Sequence, residues 1–146
     1  MQNLESSSTK NKKIKLDFKD SKYATGRRKR SIARVWVKKG SGNIHVKGLK
    51  MNEYFKRPVH QIIVTRPLEI SEVASNYDVK CSVKGGGLSG QAGAIILGIS
   101  KALIAHDENL KKSLKKDKLT TRDSRVVERK KYGHRKARRS FQFSKR

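Results

Sequence analysis

The sequence contains few side chains suited to acid, base or nucleophilic chemistry, and their spacing does not suit a catalytic site. The four histidines, His45, His60, His106 and His134, are scattered, with no two at the spacing of a dyad or of metal ligands. Cys81 is the only cysteine and lies on the apolar side of an alternating segment, which is typical of an inert packed thiol. Several of the twelve acids adjoin Lys or Arg, as local charge partners do, among them Asp123 beside Arg122 and Glu128 beside Arg129. We therefore expect no enzyme activity, no metal site and no cofactor.

A glycine-rich stretch between a strand pattern and a helix pattern is the one place suited to holding a phosphate. Residues 85–94 read GGGLSGQAGA. Backbone N–H groups of such a turn and the following helix N-terminus can converge on an anion. However, the stretch lacks the Lys-Ser/Thr of a Walker loop and the spacing of a dinucleotide fingerprint. Three interpretations stay open: glycines that only allow positive φ and close packing, a contact with RNA phosphate, and a mononucleotide site.

The charge of the chain indicates a polyanionic partner. The 146 residues include 37 Lys or Arg and 12 Asp or Glu, which gives a formal net charge of +25. Such a chain repels itself unless a partner supplies counter-charge, and a nucleic acid backbone is the natural source. We do not expect a membrane partner, because we find no stretch that approaches the roughly 18 apolar residues of a spanning helix. The single cysteine fits a reducing compartment, and the N-terminus has no visible secretory or mitochondrial signal.

The C-terminal residues 129–146 form the most cationic segment. They contain nine Lys or Arg and no acid, with few aliphatic side chains to build a core. Such a composition predicts no stable fold in water, so one interpretation is a disordered, solubilising terminus. However, Tyr132, Phe141 and Phe143 are interleaved with the charges, and aromatic rings among cations suit stacking on bases or riboses. We therefore predict that this segment is disordered in the free protein and becomes ordered within folded RNA.

The hydrophobic pattern places a small core between the two charged ends. Residues 31–37 predict a strand buried on much of both faces, and KKGSGN at 38–43 predicts a hairpin turn to a second strand at 44–47. Asn52 is a candidate cap for a short helical segment that Pro58 would interrupt. A following helix is expected to stop at Arg66 and Pro67, with three core-facing residues, Val59, Ile62 and Ile63.

The second half of the core has a clearer pattern. Residues 77–84 alternate strictly, which predicts a strand with one packed face and one polar face. Ser89 is a candidate cap for an amphipathic helix that continues to Ile104. Leu110 and Leu114, four residues apart, predict a short docked helix with its lysines facing outward. The residues expected on the core face of the longer helix are Ala92, Ile95, Ile96, Ile99 and Leu103.

Three stretches together resemble a known family. They read TGRRKRSIARVWV at 25–37, VKGGGLSGQAGAI at 83–95 and LTTRDSRVVERKKYGHRKARRSFQFSKR at 119–146. Their residues and order resemble the universal small-subunit ribosomal protein S-nine family, in its bacterial and organellar form. The resemblance runs from about Lys22 to the last residue.

This resemblance implies an α+β fold of one domain, in which helices cover a mixed sheet, as in the second domain of ribosomal protein S-five. It implies a flexible N-terminal extension at residues 1–21, a globular RNA-binding domain at 22–121 and a long extended basic tail at 122–146. The implied function is that of a structural constituent of the small ribosomal subunit in translation. The implied partners are ribosomal RNA, neighbouring proteins of the subunit head and the peptidyl-site tRNA, which the tail is expected to contact.

The resemblance also assigns roles to individual residues. The end of the tail, Ser144, Lys145 and Arg146, matches the positions that contact tRNA in the family. Three positions depart from the family pattern: Ile96, where a basic residue is common, His134, where a leucine is frequent, and Phe141, where proline is usual. The basic positions expected to meet ribosomal RNA are Arg27, Arg28, Lys29, Lys84, Arg122, Arg125, Arg129, Lys130, Lys131, Lys136, Arg138 and Arg139.

Two other classes of protein fit part of the sequence. A small-molecule phosphotransferase would use the glycine-rich stretch to bind ATP. A free-standing RNA chaperone or nucleic-acid compactor would carry the same excess of charge without belonging to a ribosome. The resemblance favours a ribosome in a bacterial cytoplasm, with a mitochondrion or plastid that encodes the protein as the alternative.

Overall fold

The computed structural model describes residues 18–145, so most of the expected N-terminal extension and Arg146 lie outside the described residues. The described part is an α+β domain built on a mixed five-stranded sheet, as expected from the sequence. Its elements, in chain order, are β1 (Lys22–Arg28), β2 (Ser31–Lys39), β3 (Ile44–Val46), β4 (Leu49–Lys50), α1 (Met51–Tyr54), α2 (Pro58–Ile70), β5 (Tyr77–Lys84), α3 (Leu88–His106) and α4 (Leu110–Lys116).

The strand order is β1-β2-β5-β3-β4, and this order corrects the hairpin expected between β2 and β3. Strand β5 lies between them, antiparallel to β2 and parallel to β3. The turn residues are held across the start of β5, because Oδ1 of Asp78 accepts the backbone N–H groups of Ser41 at 3.0 Å and Asn43 at 2.8 Å. The hairpin partner of β2 is β1, a strand that the sequence pattern did not predict.

Strand β2 is buried on one face, so the expectation of burial on both faces was wrong. Ala33, Val35 and Val37 are fully buried, whereas Ile32 remains 41% exposed and Arg34 is also exposed. The alternation predicted for β5 is confirmed, since its odd-numbered residues are buried and its even-numbered residues are not. We call the side of β1, β2 and β5 that carries Ile32 and Arg34 the open face of the sheet.

Helix α3 packs against the buried sides of β1, β2 and β5 and forms the centre of the core. It begins at Leu88 with Gly87 as its N-cap, so Ser89 is not the cap; the Ser89 hydroxyl lies 3.0 Å from Nε2 of His60 instead. The expected core-facing residues of α3 are buried, except that Ile96 is only partly buried.

Glycines allow α3 to approach the sheet closely. A Cβ atom on Gly26 of β1 would collide with the carbonyl oxygen of Ala94 and lie 2.6 Å from the backbone nitrogen of Gly98. By length and composition α3 could also cross a membrane, contrary to the expectation that no such stretch exists. Its residues are mostly buried inside the domain, however, as the central helix of a globular core is.

Helix α2 corrects three expectations. Pro58 begins the helix rather than interrupting one, because the first position of a helix needs no N–H donor. Pro67 lies inside the helix, which continues to Ile70, and its ring is buried in the core. The core face differs from the expected one at two of three residues: Val59 and Ile62 are exposed, whereas Ile63 packs against the core as predicted. The buried residues of the helix are His60, Val64, Pro67 and Leu68.

The two short helices agree with the sequence except at one cap. Asn52 lies within α1, whose N-cap is Lys50. In α4, Leu114 is fully buried and Leu110 packs against the core, as predicted. Beyond Leu119, which is buried, residues 122–145 form no helix or strand, and their pairing is limited to an isolated bridge between His134 and Ser140.

Candidate nucleic-acid interface

Three of the predicted RNA-binding residues lie at one end of the sheet. Arg27 on β1 and Lys84 on β5 flank Ile32 of β2 in one row across the open face, because the two ladders pair Arg27 with Ile32 and Ile32 with Lys84. Lys29 occupies the β1–β2 turn with a φ of 51°. All three cations are exposed. The fold therefore brings together residues that are up to 57 positions apart in the sequence.

Arg28 faces the other way and joins the C-terminal residues to the domain. Its Nη2 lies 3.3 Å from Oδ2 of Asp123, and both side chains are about 30% exposed. The same carboxylate accepts from Nη2 of Arg125 at 2.9 Å and from the backbone N–H of Arg125 at 3.1 Å. Hydrogen bonds from Arg125, together with the charges of Arg125 and Arg28, hold the pKa of Asp123 well below its usual range. The carboxylate is thus charged at any ordinary pH and fixes the start of the C-terminal residues on β1.

The C-terminal residues beyond Asp123 present their cations to solvent. Besides Arg125, Arg138 is also paired with an acid, because its Nε donates to Oε2 of Glu128 at 2.9 Å, and this hydrogen bond lowers the pKa of the Glu128 carboxyl. Tyr132 is 92% exposed and Phe143 is 87% exposed, with no place in the core. The other predicted RNA- and tRNA-binding residues in this part are all exposed, namely Arg122, Arg129, Lys130, Lys131, Lys136, Arg139, Ser144 and Lys145. Arg146 lies outside the described residues.

The glycine-rich turn packs tightly against the β1–β2 hairpin. Gly85 and Gly86 have φ values of +74° and +62°, in the left-handed region that favours glycine. The Ser31 hydroxyl and the Gln91 amide both donate to the carbonyl oxygen of Gly85, at 3.1 Å each. A Cβ on Gly86 would collide with the Ser31 hydroxyl. These contacts account for two of the glycines by conformation and packing alone.

Gly87, the third glycine, faces open space. A Cβ at this position would meet nothing within 4 Å. It lines a surface cleft with Lys29, Arg57 and His60 beside the first residues of α3. Backbone N–H groups at a helix N-terminus and nearby cations favour an anion. The cleft is thus chemically able to accept a phosphate oxygen, and that interpretation of the glycines stays a prediction.

Sequence reasoning missed two groups of residues in this region. Arg57 and His60 reach the cleft because Pro58 begins α2 and thereby places Arg57 directly before the helix. Recognising Pro58 as a helix start would have indicated this arrangement. Arg34 and Trp36 were assigned to a strand face expected to be buried, whereas they lie on the open face. No pattern within β2 alone reveals which of its two faces a helix covers.

The described residues offer no arrangement suited to catalysis. No group of three or more His, Cys, Asp or Glu among residues 18–145 could hold a metal ion. Cys81 is buried in the core, and burial raises the pKa of its thiol, which disfavours the reactive thiolate. What the surface can do is bind a polyanion, through exposed guanidinium and ammonium groups on the hairpin end and along the C-terminal residues.

A comparison with models of protein families matches most of the chain. The model of the family described as "Ribosomal protein S9/S16" matches residues 26–146, which is most of the chain. The matched range includes the last three residues of β1, the glycine-rich turn, helix α3 and the whole C-terminal part.

Proposed function

Because the chain belongs to the ribosomal protein S9/S16 family, whose members are structural proteins of the small ribosomal subunit, we propose that its basic surfaces bind ribosomal RNA in the subunit head. We further propose that its C-terminal part contacts peptidyl-site tRNA. As a member of this family the chain is a ribonucleoprotein component that acts in translation. Ribosomal RNA and neighbouring ribosomal proteins are its partners.

One observation supports the RNA-binding role above the others. From Arg122 to Lys145 the described chain has no helix or strand, and nearly all of its side chains are exposed. With cations at this density and no core, these residues have only a few exposed contacts among themselves with which to fix one conformation. We propose that residues 122–146 are an extended tail whose conformation is supplied by RNA, that residues 22–121 are the RNA-binding domain, and that residues 1–21 are a flexible extension.

The predicted RNA contacts divide by position. Arg27, Lys29 and Lys84 form one exposed group at the hairpin end, and we assign them to the binding of RNA by the domain. Arg28 and Arg125 share the Asp123 carboxylate, so each offers RNA its remaining donors and also fixes the root of the tail. The remaining cations of the tail are assigned to phosphates along its path: Arg122, Arg129, Lys130, Lys131, Lys136, Arg138 and Arg139.

The three departures from the family pattern have local structural roles. Ile96 is partly buried and lines a small pocket with Arg27 and Arg28, so its apolar side chain supplies packing where a cation would supply a phosphate contact. Nδ1 of His134 lies 3.3 Å from the Ser140 hydroxyl. Arg135 stacks over the Phe141 ring at 5.8 Å. We propose that the last two contacts turn the tail where proline is absent.

Contacts with phosphates set the expected binding behaviour. Each Lys or Arg that neutralises a phosphate releases condensed counterions, so log affinity should fall with log salt by about 0.7 to 0.9 per contact. Phosphate contacts position the protein without reading sequence. Selectivity is therefore assigned to Arg side chains and aromatic rings that meet unpaired nucleotides.

Co-sedimentation tests the proposed function. The chain, expressed with a tag in its source cells, should sediment with small ribosomal subunits after a wash in high salt. A variant that lacks residues 122–146 should be washed off at much lower salt, because most phosphate contacts are lost. Release of the full chain at the same salt as the truncated chain would contradict the role of the tail.

The same preparation separates the rival functions. A free-standing chaperone would leave the subunits in the wash and bind duplexes indiscriminately. A phosphotransferase would bind ATP at the glycine-rich turn, so equilibrium dialysis of the purified chain with ATP should show no binding. The ribosome is the expected location; we propose a bacterial ribosome, and sequencing of the RNA that co-purifies distinguishes it from an organellar one.

A further inference from the structure

The open face of the sheet carries a continuous row of aromatic rings and cations. The Tyr23 and Trp36 rings contact each other with centroids 5.3 Å apart. The guanidinium of Arg34 lies 5.2 Å from the Trp36 ring centroid and 6.0 Å from that of Tyr23. On the other side of Trp36, the Lys80 ammonium lies 5.9 Å from its centroid and 5.7 Å from that of Phe18. We call these five side chains the aromatic platform.

The strand register explains why these side chains meet. Residues paired across an antiparallel ladder share one face, and the ladders pair Tyr23 with Trp36 and Trp36 with Lys80. Arg34 lies two residues from Trp36 on β2 and therefore projects from the same face. The opposite face of these strands is occupied by α3 and the core. No helix or strand among residues 18–145 covers the platform.

The surroundings of the platform favour an anionic partner. Four further cationic or small polar side chains border it on the open face: Arg27, Thr25, Ser82 and Lys84, all exposed. Asp78, the acid on this face of β5, accepts N–H groups of the 41–43 turn, and these hydrogen bonds outweigh its partial desolvation and lower the pKa of its carboxyl. The Asp78 carboxylate therefore stays charged, but it is already hydrogen-bonded to the 41–43 turn at one end of the strand.

The exposure of the Tyr23 ring argues against a purely internal role for the platform, in which the Trp36 and Phe18 rings are partly exposed. Contacts between cations and rings also occur on solvated sheet faces that bind no ligand, where the side chains interact only with one another. Here Tyr23 is 49% exposed and Ile32, next to Arg34 on the strand, is 41% exposed. Flat apolar surface that remains open between cations fits a ligand that is planar, apolar on its faces and negatively charged along its edge. An unpaired nucleotide has these properties, whereas a duplex hides its bases and an acidic peptide lacks the flat rings.

We propose that the aromatic platform binds unpaired nucleotides of RNA, with a base stacked on Tyr23 or Trp36 and Arg34 meeting the base or its phosphate. This surface adjoins Arg27 and Lys84 of the hairpin end on the same face of the sheet. The identity of its ligand rests on the proposed function, since that function makes RNA the partner. It gives the domain a contact that depends on bases as well as on phosphates.

Trp36 makes this proposal directly testable, because it is the only tryptophan in the chain. Its emission is to be followed while the full chain is titrated with a single-stranded oligouridine at fixed salt. Stacking of a base should quench the emission, and inorganic polyphosphate at equal charge should not, although we expect both to bind the tail. Binding of oligouridine without any change in Trp36 emission, or equal quenching by polyphosphate, would overturn the proposal. Stronger quenching by polyglutamate would assign the surface to an acidic protein partner instead.

Substitutions on the platform provide the second test. Tyr23→Ala should raise the oligouridine concentration at half quenching by about 5-fold or more, the scale of one lost stacking contact. Tyr23→Phe keeps the ring and should restore the wild-type value. Arg34→Gln should also weaken quenching, whereas Lys112→Gln, which removes a charge from an exposed lysine on α4, should not. Equal effects of Arg34→Gln and Lys112→Gln would show that Arg34 contributes only to the net charge of the protein, which would contradict the proposal.

Ultraviolet crosslinking of small subunits separates this proposal from the proposed function. A crosslink between the Tyr23 or Trp36 peptide and an unpaired ribosomal nucleotide is the expected result. If the chain sediments with small subunits but these peptides crosslink to protein or to nothing, the platform proposal fails and the proposed function stands. If the chain does not sediment with the subunits, the proposed function fails. The oligouridine titration then still tests whether the platform binds unpaired nucleotides.

Discussion

Gly26→Ala is the substitution that most directly tests the contact between the basic hairpin and the core. Gly26 lies on β1 directly before the exposed Arg27 and three residues before Lys29 of the hairpin turn, and its Cα faces helix α3. An added Cβ would collide with the Ala94 carbonyl oxygen and lie 2.6 Å from the Gly98 nitrogen and 3.0 Å from the Ala94 carbonyl carbon. All three atoms are helix backbone, so no side-chain rotation can relieve the overlap.

The expected cost follows from this geometry. Helix α3 has to move away from β1, although twelve of its residues are buried in the core. Overpacking typically costs about 1 to 3 kcal/mol and occasionally more, and we expect a value near the upper end because only a backbone shift relieves it. For a domain of about 100 residues, about 3 kcal/mol corresponds to a decrease in Tm of roughly 12 to 24 °C. Thermal unfolding followed by far-UV circular dichroism measures this change.

Gly87→Ala is the matched control, because the same methyl group would meet nothing within 4 Å and the φ of −100° suits any residue. Alanine is a poorer N-cap than glycine, but it also restricts the unfolded chain, and these opposite effects should leave stability within about 1 kcal/mol of the wild type. An unchanged Tm for Gly26→Ala would refute the close approach of α3 to β1. Equal losses in both variants would show that the effect is general to glycine replacement.

Three further predictions concern the core, the root of the tail and its end. In native protein Cys81 should react with iodoacetamide at pH 8 at least about 100-fold more slowly than in unfolded protein, because burial raises its pKa and blocks access; rapid labelling of native protein would contradict its placement. The pKa of Asp123 is lowered in the folded protein, so its contact with Arg28 and Arg125 should persist at pH 4 and be lost only as the pH falls through that low value. Asp123→Asn should therefore expose Arg122 and Arg125 to faster trypsin cleavage at neutral pH, whereas Glu108→Gln should not; equal cleavage would contradict the role of Asp123. Deletion of residues 144–146 should leave subunit assembly nearly intact and weaken peptidyl-site tRNA by about 1 to 3 kcal/mol, the scale of one or two charge-assisted hydrogen bonds, in a filter-binding assay; unchanged tRNA affinity would reject that contact.

The parts of the fold that the sequence predicted correctly are those with a single possible interpretation. Strict alternation in β5 leaves one face for the core, and two leucines four apart in α4 leave one side for docking. The face of helix α2 was misassigned at Val59 and Ile62 because they have the same helical spacing as residues that are buried. Periodicity alone cannot choose between two such faces, since the choice depends on where the sheet lies.

The errors in the sheet have a similar cause. The turn between β2 and β3 has hairpin composition, but Asp78, 35 residues beyond Asn43, holds it across the start of β5. Nothing local in the sequence reports that contact. The apolar residues Ile32 and Trp36 suggested burial on both faces of β2, whereas no described helix or strand covers the open face. An exposed apolar residue is ordinary by itself, and its grouping with cations became visible only through the strand register.

The candidate interface was predictable in composition and not in arrangement. The number and sign of the charges indicate a polyanion without any structure, and three sequence stretches indicate the family. The joining of Arg28 to Asp123 spans 95 residues, and the row of Arg27, Ile32 and Lys84 depends on the pairing of three strands. Pairings of this kind follow from tertiary structure, so the sequence could not divide the basic residues into exposed contacts and tail-fixing contacts.

The central claim is that residues 122–146 obtain their conformation from RNA inside a small ribosomal subunit. A cryo-electron microscopy map of small subunits that contain this chain, with tRNA bound in the peptidyl site, tests it most directly. We predict continuous density for the tail between RNA helices, with Lys145 and Arg146 next to the tRNA. A tail that projects into solvent, away from both RNAs, would contradict the claim.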